Sequence, residues 1–111
     1  MLSFSPMKKE IVITPQAEKY LAGLPEAVQA EFLADFDVLA ETGRLEFPDA
    51  RMLQRGLFGI RVAAGGNAYR TLYCYARGEQ VWILSGFTKK TQKTPEREID
   101  KAKAIMRRNG L

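Results

Sequence analysis

The chain contains no histidine, and Cys74 is its only cysteine. These two absences exclude an intramolecular disulfide and a zinc site of the Cys/His type. They also remove the side chain that most readily exchanges protons near neutral pH. Any acid–base chemistry must therefore use Lys, Arg, Tyr, Asp or Glu. No run of about 18 apolar residues is present, so no transmembrane helix is predicted. Residues 1–10 have no apolar core of the kind a signal peptide carries, which predicts a cytoplasmic protein. No internal repeat, low-complexity tract or linker interrupts the chain, and no cofactor or metal is expected.

What is present suits one domain. The chain has 111 residues and 46% of them are hydrophobic, enough for a real core and too many for a disordered chain. Residues 1–111 are expected to form that single domain, with residues 1–9 as a flexible extension. The net charge is +4, and its distribution says more than its size. Residues 1–50 carry four basic and nine acidic side chains, a net −5, whereas residues 51–111 carry 13 basic and four acidic ones, a net +9. Such polarity is expected of a polyanion binder, with nucleic acid the first candidate and an unevenly charged, solvated surface the plain alternative.

The pattern along the chain predicts the elements. Ile11, Val12 and Ile13 form a β-branched run that reads as a strand. Thr14-Pro15 reads as a helix cap followed by proline at the first helical position. Ala17, Leu21 and Leu24 then make one short amphipathic helix. Pro25 opens a second, in which Val28, Phe32, Phe36 and Leu39 form an apolar stripe and Gly43 is the C-terminal cap. Arg51, Met52 and Leu53 read as a short edge strand. Three clearer strands cover 57–63, 69–76 and 80–87, joined by short glycine-containing links that predict antiparallel hairpins. Thr94-Pro95 repeats the cap-then-proline device before a last helix with Ile99, Ala102 and Met106 on its apolar face. The order β, α, α, meander, α predicts a compact α+β domain.

Cutting RNA without a metal ion requires a ribose 2′-hydroxyl to attack the neighbouring phosphate. Something must take the hydroxyl proton, stabilise charge on the phosphate and help the leaving oxygen depart. Without histidine, a crowded group of Lys and Arg has the right chemistry, because arginine forks match phosphate oxygens and neighbouring positive charge pulls a lysine toward neutrality. Arg61 alternates against Phe58, Ile60 and Val62, which are expected to face the core, so it points the other way. Arg70 lies near the start of the next strand. Lys89, Lys90 and Lys93 follow the third, beside Phe87, on which a base can stack. If the strands are neighbours, these groups converge at one end of the sheet. Taken singly, Arg61 and Arg70 are more often solvated surface charges. Alternation does not say which side of 69–76 is core, since Arg70, Leu72 and Cys74 share one side and Tyr69, Thr71, Tyr73 and Tyr75 the other. Tyr69, Tyr75, Trp82 and Cys74 are read as packing residues. The basic candidates are joined by Arg55, and Tyr73 is the tyrosine assigned to the RNA-binding set.

The segments Leu57-Phe58-Gly59-Ile60-Arg61, Tyr69-Arg70-Thr71-Leu72-Tyr73 and the stretch from Leu84 through Lys89-Lys90-Thr91-Gln92-Lys93-Thr94-Pro95 resemble the phage-associated, HigB-like branch of the RelE toxin superfamily. The resemblance spans about residues 10–108, and the lysine-rich segment ending in Thr94-Pro95 is its most specific part. It implies two N-terminal helices packed on a twisted antiparallel sheet of about four strands, with a C-terminal helix. It also implies ribosome-dependent cleavage of messenger RNA, and an antitoxin partner of the helix-turn-helix DNA-binding kind. By position, Arg61 and Arg70 match basic residues around the scissile phosphate, and Lys90 the one that stabilises the phosphate or leaving group. Lys89 and Lys93 match RNA or ribosome contacts. Relatives often place a tyrosine or histidine near the last helix, where this chain has Glu98, Ile99 and Asp100. The acid–base role is then left to Lys or Glu, or to a ring from Tyr73. A non-catalytic RNA- or ribosome-binding module and a phage assembly protein of the same fold are the competing readings.

Overall fold

The computed structural model describes residues 8–46, 48–89 and 93–111. Its elements are β1 (Glu10–Ile13), α1 (Pro15–Ala22), α2 (Glu26–Thr42), β2 (Ala50–Gln54), β3 (Leu57–Ala64), β4 (Asn67–Ala76), β5 (Gln80–Lys89) and α3 (Glu96–Arg108). The strands form one five-stranded sheet in the order β1-β5-β4-β3-β2. The antiparallel part, β2 to β5, is the expected meander, and β1 adds a fifth strand parallel to β5. The sheet is therefore mixed. The parallel pairing follows from connectivity, because α1, α2 and the meander lie between the two strands and return the chain to the same end.

Both faces of the sheet are covered, which explains why alternation along β4 was ambiguous. On one face α1 and α2 bring Ala17, Leu21, Val28, Phe32, Phe36 and Leu39 against Ile60, Val62, Tyr69, Tyr73, Val81 and Ile83. On the other, α3 lays Ile99, Ala102 and Ile105 on Leu57, Leu72, Cys74, Leu84 and Phe87. The central strand is therefore buried on both sides, and seven consecutive residues, 68–74, are buried. Met106 is only partly buried, and Ile105 takes the central place on the α3 stripe. Cys74 lies in this second core, where burial pushes its thiol up to about 11, consistent with a packing role.

The start of α1 and the end of α2 follow local chemistry, and the start of α3 departs from it. Thr14 Oγ1 accepts from Ala17 N at 3.1 Å, so the first cap is as expected. Gly43 ends α2 in the left-handed region at φ 84°, its N–H donating to Leu39 O at 2.8 Å. Thr94 does not cap α3. Pro95 occupies the cap position with an extended ψ of 145°, and no side chain bonds there. Its backbone is not helical, so the helix starts one residue later than the cap-then-proline reading required.

Lys8 and Lys9 precede β1 and contact α2 and the β4–β5 turn. Lys9 N–H donates to Ala40 O at 2.8 Å, and its ammonium lies 2.8 Å from Glu79. Lys8 pairs with Glu41 at 2.9 Å.

Candidate nucleic-acid interface

The basic face begins with a turn. Gly65 and Gly66 join β3 to β4, with φ of 58° and 81°, conformations open to glycine at little cost. This two-residue turn pairs Ala64 with Asn67 and, three rows along, Arg61 with Arg70. Arg70 in turn faces Phe87 on β5. Arg61, Arg70 and Phe87 thus form one row across three strands, on the α3 side of the sheet. A one-residue slip would send the arginines to opposite faces, so the glycine pair sets the chemistry as well as the fold.

A third arginine joins them. Arg51 on β2 lies opposite Gly59, two residues before Arg61 and on the same face. The start of β2 is tied to β3 by Arg61 N–H donating to Asp49 O at 3.0 Å. Arg70 is only 5% exposed. Burial, followed by the charges of Arg61 and Arg51, pulls its guanidinium below the usual arginine range. Arg61 Nε is buried with no hydrogen-bond partner among the described residues. Positive groups drawn together this way favour an anion that several of them can share. The sequence reading placed Arg51 on a strand but not in the site. Only the pairing of β2 with β3 reveals it.

The other candidates separate. Lys89 is half-buried and pairs with Ala68, two rows beyond Arg70 and on the same face. Lys93 is exposed at a groove of about 290 Å³ lined by Arg51, Met52, Leu53, Thr94, Glu96 and Ile99. The structure therefore brings together Arg61, Arg70 and Lys89, and places Lys93 in a groove with Arg51. Lys90 lies outside the described residues. Phe87 is in the arginine row but packs under α3, so its ring offers no open stacking face. Tyr73 is 1% exposed and belongs to the core on the opposite face, its ring stacked on Phe58 at 5.3 Å. It does not reach the arginines, because β4 alternates and Tyr73 is three residues from Arg70. Arg55 sits in the β2–β3 turn, about four residues of strand, roughly 13 Å, from Arg61. It is not part of the cluster. Glu98, on the first turn of α3, has a side chain 15% exposed, and its Oε1 is buried with no hydrogen-bond partner among the described residues. A concavity of about 600 Å³ lies among Tyr75, Arg77, Gln80, Trp82 and Asn109, and holds none of the predicted site residues.

The family model described as Phage derived protein Gp49-like (DUF891) matches residues 19–107. The chain belongs to this Gp49-like family. No curated protein matches its sequence. Among solved structures, the Gp49-like chain is similar to a free-state mutant of the E. coli toxin RelE, with a TM-score of 0.62 at 15% identity, covering 95% of this chain and 100% of that one. It is also similar to the archaeal RelE–RelB complex from Pyrococcus horikoshii OT3, with a TM-score of 0.59 at 24% identity, covering 78% and 100%. The intact E. coli RelBE toxin–antitoxin complex gives a TM-score of 0.58 at 16% identity, covering 77% and 99%. The Gp49-like chain thus has the RelE fold, as its strand and lysine segments implied.

Proposed function

We propose that this Gp49-like chain is the toxin of a toxin–antitoxin pair, an endoribonuclease that cleaves messenger RNA on the ribosome in the cytoplasm. The observation that carries the reading is the row of Arg61 and Arg70, with Arg51 and Lys89 on the same face. Converging guanidinium groups grip a phosphate through paired N–H donors and stabilise the charge that builds on it as the 2′-hydroxyl attacks. Arg70 is held rigidly by its burial, so little reorganisation is needed when that charge develops. Proton transfer falls to a lysine of the Lys89–Lys93 segment or to Glu98, since Tyr73 is on the far face. The partner is an antitoxin of the helix-turn-helix kind. Support for an antitoxin comes from RelE-fold neighbours seen in complexes with RelB.

The test is single-turnover cleavage of a short message on programmed ribosomes by purified wild-type protein. Specific cuts within the decoded region support the reading. Tight, salt-sensitive ribosome binding without cuts supports instead a non-catalytic RNA-binding module, the alternative favoured by the missing tyrosine or histidine beside the arginines.

A further inference from the structure

β1 stops at Ile13, opposite Ile83, whereas β5 runs on to Lys89. Beyond Ile83 the outer edge of β5 has no neighbouring strand among the described residues. Its carbonyls then need other donors, because a buried backbone group without a partner costs about 1–3 kcal/mol. α1 and its cap supply them. Thr14 N–H donates to Ile83 O at 3.1 Å, and Thr14 Oγ1 donates to Leu84 O at 2.6 Å. At the other end Tyr20 Oη donates to Phe87 O at 2.8 Å and lies 3.0 Å from Thr88 Oγ1. Between these ties the Tyr20 ring occupies the space that a Cβ on Gly86 would need. Burial raises the Tyr20 hydroxyl above its ordinary range, so it stays protonated as a donor. α1 is thus a splint laid along the stretch of β5 that leads into the basic face. Phe87 faces Arg70, and Lys89 follows Thr88 directly.

We propose that Tyr20 is a positioning residue for the basic site, its hydroxyl fixing the end of β5 so that Lys89 is held beside the Arg61–Arg70 row. The proposal rests on the nuclease reading above. Tyr20 lies on the opposite face of the sheet from the arginine side chains, so it acts through the backbone of Phe87 and through Thr88. Tyr20→Phe keeps the ring over Gly86 and removes only the hydroxyl. A misplaced cation weakens transition-state contacts more than initial binding, so the loss belongs in kcat rather than KM.

The experiment compares wild type, Tyr20→Phe and Thr88→Val as full chains in message cleavage on programmed ribosomes, with thermal unfolding and amide hydrogen exchange on the same samples. For Tyr20→Phe, kcat is expected to fall about tenfold with KM within about twofold. Its Tm stays within about 5 °C of wild type. The amides of residues 86–89 exchange faster while those of β3 stay protected. Thr88→Val, which removes one of the two hydroxyl contacts, gives a smaller loss of the same kind. A wild-type kcat in Tyr20→Phe overturns the proposal, as does a loss that comes only with a large fall in Tm. Cleavage absent from the wild-type protein itself overturns the nuclease reading and the proposal with it, an outcome distinct from the other two.

Discussion

Arg61 and Arg70 face each other directly across β3 and β4, three rows from the Gly65-Gly66 turn that sets their register. Arg70 is buried there despite its charge. A charge placed against like charge in a core is retained against a cost in stability. Arg70→Ala is therefore expected to abolish cleavage, by about 100-fold or more in kcat, while the protein still folds and unfolds cooperatively. Single-turnover rates and a thermal melt check this. A folded Arg70→Ala protein with undiminished cleavage removes Arg70 from the mechanism.

The turn itself is testable. Gly66 has a φ of 81°, which a β-branched residue adopts only with strain. Gly66→Val is expected to lower stability by about 1–2 kcal/mol, read as a lower denaturant midpoint at unchanged slope. Gly56, in the β2–β3 turn with φ 80°, lies away from the arginine row, so Gly56→Val should show a similar stability loss with less effect on cleavage.

The acidic half carries its own strain. Burial, then the charges of Asp49 and Glu31, raises Asp35 from 3.8 to about 6. A carboxyl whose folded pKa is raised contributes stability below its unfolded pKa, and that contribution is lost as pH rises through the folded value. Asp35→Asn should match wild type near pH 4 and exceed it by about 1 kcal/mol at pH 7.5, after allowance for screening at a half-buried group. Melts at the two pH values measure the difference. Equal stability of the two proteins at pH 7.5 would refute it.

RNA binding should weaken steeply with salt, as counterion release requires. Arg51→Ala is expected to reduce the slope of log K against log salt by about 0.7, the value for one contact to single-stranded RNA. An unchanged slope would take Arg51 off the phosphate-binding face.

Much of this was legible in the sequence because local chemistry decided it. The Thr14 cap, the Gly43 stop and the stripe of Val28, Phe32, Phe36 and Leu39 depend on near neighbours, and so did the glycine links of the meander. The face of Arg61 followed from Ile60 and Val62. What needed the fold was long-range. The parallel pairing of β1 with β5 joins residues about 70 apart, and no local signal specifies it. Tyr73 could not be assigned a face because α3 covers the side that alternation alone would leave to solvent. Arg51 entered the site only through its pairing with Gly59, and Thr94 lost its cap because Pro95 took that position in an extended conformation. Phe87 sat beside the lysines in sequence yet belongs beneath α3.

The most direct measurement of the central claim is induced expression in a bacterial host, wild type beside the Arg61→Ala/Arg70→Ala double mutant, with transcript ends mapped soon after induction. The account predicts new ends inside translated messages with wild type and none with the double mutant. Growth arrest without new ends, or identical ends from both proteins, would contradict it.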